Sequence, residues 1–418
     1  MAQATDREEM HLKKFRIIEF RQHSTLKSRS ETLVFFTIIV AQFFGTPLWF
    51  AGNAILFQLQ NDFNWPDTAL GYLTSSTQLG FILGTLTFAL LGLPDKFSPS
   101  KIFSICSLIA GGINLLALIE LSSMTLMISS RFGVGFFLAG IYPIGMKIAA
   151  DWKAEGLGNW LGALVGALVL GTAFPHSLKL IPQFVEPKTL LITITTLCIT
   201  GGFLLLMLVP DGPYRKAGAT FTFSAFRNVF RIPSFRAPAL GYFGHMWELY
   251  TFWAFVPWII TVYAQHNGLT IDESLMAFLV IGAGTAGCVG GGLLSNRIGS
   301  ARVARVALIC SGLCCCISPL LWNSSSWIFI SVMLFWGLMA AGDSPQFSAL
   351  VAKHAPVQFR GSAITLVICI GFAVTIVSIQ LLNYLQEFIS YQYLFLILVP
   401  GPLFGVLAFN KFFGLQKG

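Results

Sequence analysis

Glu248, His245, Asp343 and Arg131 are the side chains of this 418-residue sequence whose type and position could do chemistry. The first two lie in GYFGHMWELYTFWAFVPWII, residues 241–260, a stretch otherwise fit for a buried apolar helix. Of the 18 acids, all but Glu248 and Asp343 can be assigned to tails, loops or the ends of apolar runs, and Arg131 joins those two inside. A charge at the centre of a membrane helix costs about 2.5–3.5 kcal/mol, so the three facing lipid would cost about 8–10 kcal/mol, comparable to a domain's stability. They must face a cavity or one another. Burial disfavours the ionised form of a carboxylate, so an acid that meets water alternately from two sides can take up a proton on one and release it on the other. The pattern predicts that Glu248, Asp343 or both carry protons, with His245, one turn before Glu248, sharing or relaying them. The structural alternative is a permanent ion pair between Arg131 and one acid, or a carboxylate that merely accepts hydrogen bonds from its surroundings. His176 reads as an interfacial residue.

The elements that must position these groups are apolar helices. The sequence is 55% apolar and 11% charged, against about 25% charge in a soluble domain. Twelve apolar runs long enough to cross a ~30 Å hydrocarbon core lie at roughly 33–57, 68–92, 102–120, 124–149, 157–178, 189–209, 237–262, 274–294, 302–321, 327–352, 362–385 and 391–412. Residues 1–32 lack the apolar core of a signal peptide. All eight cysteines fall inside these runs and read as small packing residues; even Cys314-Cys315-Cys316 fans around a helix and cannot converge on one metal ion. GAGTAG at 282–287 matches a dinucleotide-loop pattern but lies within an apolar run, without the strand that loop needs. No phosphate-binding GxxxxGK[ST] sequence occurs, and no cofactor or resident metal is expected.

All but three of the 26 lysines and arginines fall in tails and loops on one side if the amino terminus is cytoplasmic. Lys179 and Lys188 are opposite, and Arg131 is inside. The net charge of +8 is therefore a topology signal and a contact for anionic lipid, not a nucleic-acid surface. Both termini should be cytoplasmic. The expected organisation is a tail at 1–32, six helices over 33–209, a cytoplasmic linker at 210–236, six helices over 237–412 and a tail at 413–418. Within the linker, Phe223, Phe226 and Phe230 share one helical face and Arg227 and Arg231 point elsewhere, which suggests an amphipathic helix on the inner leaflet. A shift of about 202 residues lays GVGFFLAGIYPIGMKIAAD over GLMAAGDSPQFSALVAK, matching Gly135 to Gly337, Gly140 to Gly342 and Pro143 to Pro345. Nearly the same shift aligns PDKFSPSK with SNRIGSAR. Two matches at one offset favour a duplicated six-helix unit. The fold class is thus an all-α membrane protein, twelve helices in two six-helix bundles related by a pseudo-two-fold axis.

At these loops the sequence resembles the major facilitator superfamily, whose Gly-x-x-x-Asp-Arg/Lys-x-Gly-Arg/Lys signature joins helices 2 and 3 and is often echoed between 8 and 9. The second copy here is fuller, with Gly292, Asn296, Arg297, Gly299 and Arg302. The first keeps Asp95 and Lys96 but has Leu91 and Ser98 where glycines are expected. The resemblance implies a gating role for Asp95, Lys96, Asn296 and Arg297. RFGVGFFLAG looks like the family's helix-4 motif, with Arg131 as its arginine. Gly162, Gly166, Gly171 and Pro175 echo an antiporter motif without its Gly-Pro pair, and close helix packing explains them as well. GHMWELY is reminiscent of bacterial members grouped with nitrate porters, but helices 2 and 8 lack the arginines those share, so nitrate is set aside.

In the family, helices 1, 4, 7 and 10 line a central cavity, and the resemblance puts Arg131, Glu248 and Asp343 on that set, converging on one aqueous vestibule. Phe44, Trp49, Tyr142, Trp247 and Tyr250, with Gln42, Thr46, Asn53 and Gln346, complete a candidate substrate site suited to a small amphipathic solute. The leading expectation is a proton-coupled transporter of the bacterial inner membrane, acting as a monomer by alternating access. A substrate carboxylate would pair with Arg131, which slightly favours uptake of an organic anion or metal-chelating metabolite. Proton-driven efflux of amphipathic compounds is the alternative, and a non-transporting sensor or a membrane-embedded enzyme the readings from other classes. No catalytic serine–histidine–acid set is visible, and the sequence does not read as an enzyme.

Overall fold

A computed structural model of the chain describes residues 31–153, 157–215, 221–222 and 224–414. All regular structure among them is helical. Twelve long segments run Glu31–Phe63 (α1), Ala69–Leu91 (α2), Pro99–Leu116 (α3), Met124–Trp152 (α4), Leu157–Leu178 (α5), Pro187–Leu208 (α6), Pro233–His266 (α7), Glu273–Ile298 (α8), Ser300–Leu321 (α9), Ser326–His354 (α10), Arg360–Leu385 (α11) and Tyr391–Lys411 (α12). Eleven are long and apolar enough to cross a membrane; α7 is the exception. Its 34 residues include Arg236, His245 and Glu248, and 22 of them are buried, His245 and Glu248 among them, so protein rather than lipid surrounds these two.

Local chemistry sets the ends and breaks. Ser123 and Asp272 cap α4 and α8 by accepting from the backbone N–H of Leu126 and Leu275. Gly92 and Gly299 close α2 and α8 at positive φ, where a side chain would be strained. Gly92 therefore supplies the turn one residue after Leu91, where the family pattern asks for glycine. Proline, lacking a backbone donor, marks the interruptions: a 3₁₀ turn over Thr46–Trp49 in α1 contains Pro47, and α4 and α10 are each broken just before Pro143 and Pro345.

The matching breaks belong to a wider repetition. A Cβ on Gly135 of α4 would collide with the Thr77 carbonyl of α2, and one on Gly337 of α10 with the Val280 carbonyl of α8. Likewise Gly84 meets the Phe136 carbonyl and Gly287 the Leu338 carbonyl. Each pair of contacts is related by the offset of 202–203 residues, so the duplicated unit is visible in backbone approach as well as in sequence. Gly284 and Gly287 of GAGTAG serve this close packing of α8 on α10. The two six-helix bundles meet along α5 with α8 and α2 with α11. Gly162 and Gly166 of α5 lie against Cys288, Thr285 and Val289 of α8, which supports the packing reading of that glycine series.

The linker holds a short helix, Ser224–Val229. Phe230 packs on Phe235 and Phe243. Phe223 lies outside the described residues, as do residues 1–30 and 415–418 of the two tails.

Candidate functional site

Two cavities lie between the bundles. A central chamber of about 20 Å³, room for a single water, is lined by Tyr142, Tyr242, Tyr250, Trp253, Phe372 and Ser344 among others. A larger vestibule of about 270 Å³ lies toward the lysine-poor ends of α1, α7 and α8. Trp49 packs on two residues of the chamber wall, with its ring 5.6 Å from Tyr250 and 5.5 Å from Phe372. Phe50 extends this aromatic layer to Tyr250 and Trp253.

Periodicity explains how α7 serves the chamber. Tyr242, Met246, Leu249, Tyr250 and Trp253 recur at helical spacing along one face and line it. His245, Glu248 and Phe252 lie on the other face, against α9 and α10. Glu248, 1% exposed, accepts hydrogen bonds from Trp336 Nε1 at 2.6 Å, Ser311 Oγ at 2.9 Å and Cys315 Sγ at 3.4 Å. His245 Nδ1 lies 2.8 Å from Asp343 Oδ1, joining α7 to the break in α10. Both acids are thus one layer behind the chamber wall, inside the second bundle.

Arg131 is elsewhere. It lies in the first bundle, 1% exposed, donating to the Leu48 carbonyl at 3.4 Å and to Asn114 Oδ1. Asn114 passes the connection to Thr195 Oγ1 at 3.0 Å and to the Leu191 carbonyl at 3.2 Å on α6. The expected convergence of Arg131, Glu248 and Asp343 on one vestibule does not occur, and none of the three lines either cavity. Two of the guanidinium nitrogens find neutral acceptors, the Leu48 carbonyl in the 3₁₀ turn of α1 and Asn114 Oδ1 of α3, while Nε is buried without a hydrogen-bond partner. If Arg131 is a strut of this bundle, Arg131→Leu leaves the Leu48 and Asn114 oxygens without their donor, a cost of about 1–3 kcal/mol each. The expected result is a clear fall in Tm of the purified chain, smaller for Arg131→Lys. An unchanged Tm for Arg131→Leu would remove the strut.

Of the remaining substrate candidates, Tyr142 and Tyr250 line the chamber and Trp49 packs on Tyr250. Trp247 turns away and donates to the Ile397 carbonyl of α12 at 2.9 Å. Phe44 lies against Gly201 of α6, Gln42 against Gly145 of α4, and Gln346 beside Gly291 of α8. Thr46 bonds within α1, and Asn53 lines the outer vestibule. Tyr242, Trp253, Phe372 and Ser344 of the lining are not among the candidates from the sequence; the helical spacing of the first two with Tyr250 is the signal that marks them.

The signature loops behave differently. Asp95 pairs with Lys147 of α4 at 3.2 Å, and Arg215 of the linker donates to the Asp95 and Phe97 carbonyls, all on one bundle. Asn296 instead reaches across the bundles, donating to Asn159 Oδ1 of α5 at 2.8 Å. Lys96 and Arg297 are exposed. Among the described residues, no group of three or more His, Cys, Asp or Glu is arranged to hold a metal.

The profile of the Major Facilitator Superfamily matches residues 34–287 and 238–417. No curated protein sequence matches the chain. Among solved structures, the fold is similar to that of the human organic anion transporter MFSD10 (TETRAN), with a TM-score of 0.69 and 14% identity over 92% of this chain and 99% of that one. A mutant of the nucleoside transporter NupG gives a TM-score of 0.68 and 13% identity over 91% and 99%. At these identities the likeness is one of fold.

Proposed function

The chain belongs to the major facilitator superfamily, and from that premise we propose that it is a proton-coupled secondary transporter of a small organic solute. Transport proceeds by rocking of the two bundles about the α5–α8 and α2–α11 contacts. The solute passes the aromatic layer into the chamber of Tyr142, Tyr242 and Tyr250, which widens from its single-water volume as the bundles rock, and Glu248 with the His245–Asp343 pair holds the protons.

One observation carries the coupling. Ser311 Oγ lies within hydrogen-bonding distance of both Glu248 Oε2, at 2.9 Å, and the Leu308 carbonyl, at 3.2 Å. When Glu248 is ionised, Ser311 donates to it. When Glu248 is protonated, Ser311 turns its proton to Leu308 and accepts the new one. The network therefore satisfies either state without moving heavy atoms, as a proton-holding acid in a dry bundle requires. The acid adjoins Leu249 and Tyr250 on the chamber wall, so its state is felt there through α7. The preference for an organic anion leaned on Arg131 and loses its residue, since the guanidinium is committed to Leu48 and Asn114.

The test is a proton measurement. Proteoliposomes loaded with a pH-sensitive dye are challenged with a panel of amino acids, amines, hydroxy acids and nucleosides. The expected result is a lumenal pH change with one solute class, lost in Tyr250→Ala. A panel that moves no protons would refute the coupling.

A further inference from the structure

The vestibule has a chemical polarity of its own. Five side-chain amides line it, Asn53, Gln60, Asn61, Gln265 and Gln386, and the partners of three fix which way each is turned. Asn53 Nδ2 donates to Thr74 Oγ1 at 2.8 Å, and that hydroxyl already gives its proton to the Leu70 carbonyl. Gln60 Nε2 donates to the Pro66 carbonyl at 3.2 Å. Gln386 Nε2 donates to Asn383 Oδ1 at 3.3 Å, while Asn383 Nδ2 is held by the Thr68 carbonyl. Each of these three thus spends one amide N–H on the protein and keeps its carbonyl oxygen as an acceptor. Two carboxylates, Asp67 and Glu273, share the cavity with one cation, Lys179, which lies 3.5 Å from Glu273. With these included, the loops and helix ends on this face carry seven acids against two lysines, a field that draws cations inward.

We propose that the vestibule is a recruitment site for a small organic ammonium ion, distinct from the chamber beneath it. The two carboxylates, with the three oriented amide oxygens, favour a donor-rich cation, and the Trp258 and Phe57 rings with the apolar side chains of Leu56 and Val262 supply the wall for its hydrocarbon part. A bare metal ion fits less well: its oxygen ligands must close to about 2.3–2.6 Å, whereas this space of about 270 Å³ holds an organic molecule. The inference rests on the transporter reading only in that the captured ion is the solute then passed inward.

Binding without any gradient tests it. The full chain in nanodiscs is titrated calorimetrically with benzyltrimethylammonium, benzenesulfonate, benzyl alcohol and calcium. The ammonium is expected to bind about tenfold or more tighter than the anion and the alcohol. Asp67→Asn and Gln60→Leu should each weaken it by about tenfold, and added salt should weaken it further. Equal binding of the sulfonate, or calcium displacing the ammonium at equimolar concentration, overturns the proposal in favour of an unselective pocket or a metal site. Binding indifferent to both variants but lost in Tyr250→Phe would assign it to the chamber. A chain that binds the ammonium yet gives no solute-driven proton movement keeps this site and loses the coupling, whereas proton movement without vestibule binding removes this site alone.

Discussion

Glu248→Gln is expected to leave the chain folded and to reduce pH-gradient-driven accumulation in proteoliposomes to the protein-free background. A glutamine amide imitates the protonated acid: its oxygen can accept from Trp336, and its nitrogen can donate to Ser311, which then turns to Leu308. The network stays satisfied but can no longer lose a proton, so exchange of solute across equal pH should persist while accumulation stops. Glu248→Ala differs, because Trp336 Nε1 is left buried without its acceptor at about 1–3 kcal/mol, with a cavity added. Its Tm should fall where that of Glu248→Gln does not. Accumulation that survives Glu248→Gln would reduce the residue to a structural acceptor and transfer the coupling to His245 and Asp343.

The same residue marks the boundary of what could be read from the sequence. That Glu248 is buried in protein followed from the cost of exposing a charge to lipid. Which protein interior it faces did not follow. Hydrophobic periodicity separates a lipid-facing from a protein-facing side, but residues 248–256 of α7 are buried on every side, so no contrast remains to tell bundle core from chamber. The partners of Arg131 were hidden for a related reason. A buried guanidinium suggests an acid to neutralise it, whereas its partners are a backbone carbonyl exposed by the break in α1 and the neutral Asn114 of α3. Cys315, read as a packing residue, proves to be a donor to Glu248 because α9 presents it opposite that carboxylate. What the sequence did carry was the repeat, since glycine at a helix crossing is a direct imprint of backbone distance.

That imprint yields the second large effect. Gly135→Ala and Gly337→Ala are both expected to lose folded, monodisperse protein, although each adds a single methyl group. At Gly135 the new Cβ meets the Thr77 carbonyl, and at Gly337 the Val280 carbonyl. Backbone cannot move aside as a side-chain tip can, so the helix pair must separate, at or beyond the upper end of the about 1–3 kcal/mol usual for overpacking. Membrane helices hold together largely through such close packing of small residues, and separation of α2 from α4, or α8 from α10, forfeits it along the whole crossing. Gly290 is the internal control, since a Cβ there on the same α8 meets nothing within 4 Å; Gly290→Ala should leave Tm unchanged. Equal Tm values for Gly337→Ala and Gly290→Ala would show that the crossing tolerates expansion. The consequence reaches transport, because rocking carries a solute only if each bundle turns as one body, and these two glycine crossings fasten the helices that bear Tyr142 and Ser344 of the chamber to the helices that form the interface between the bundles.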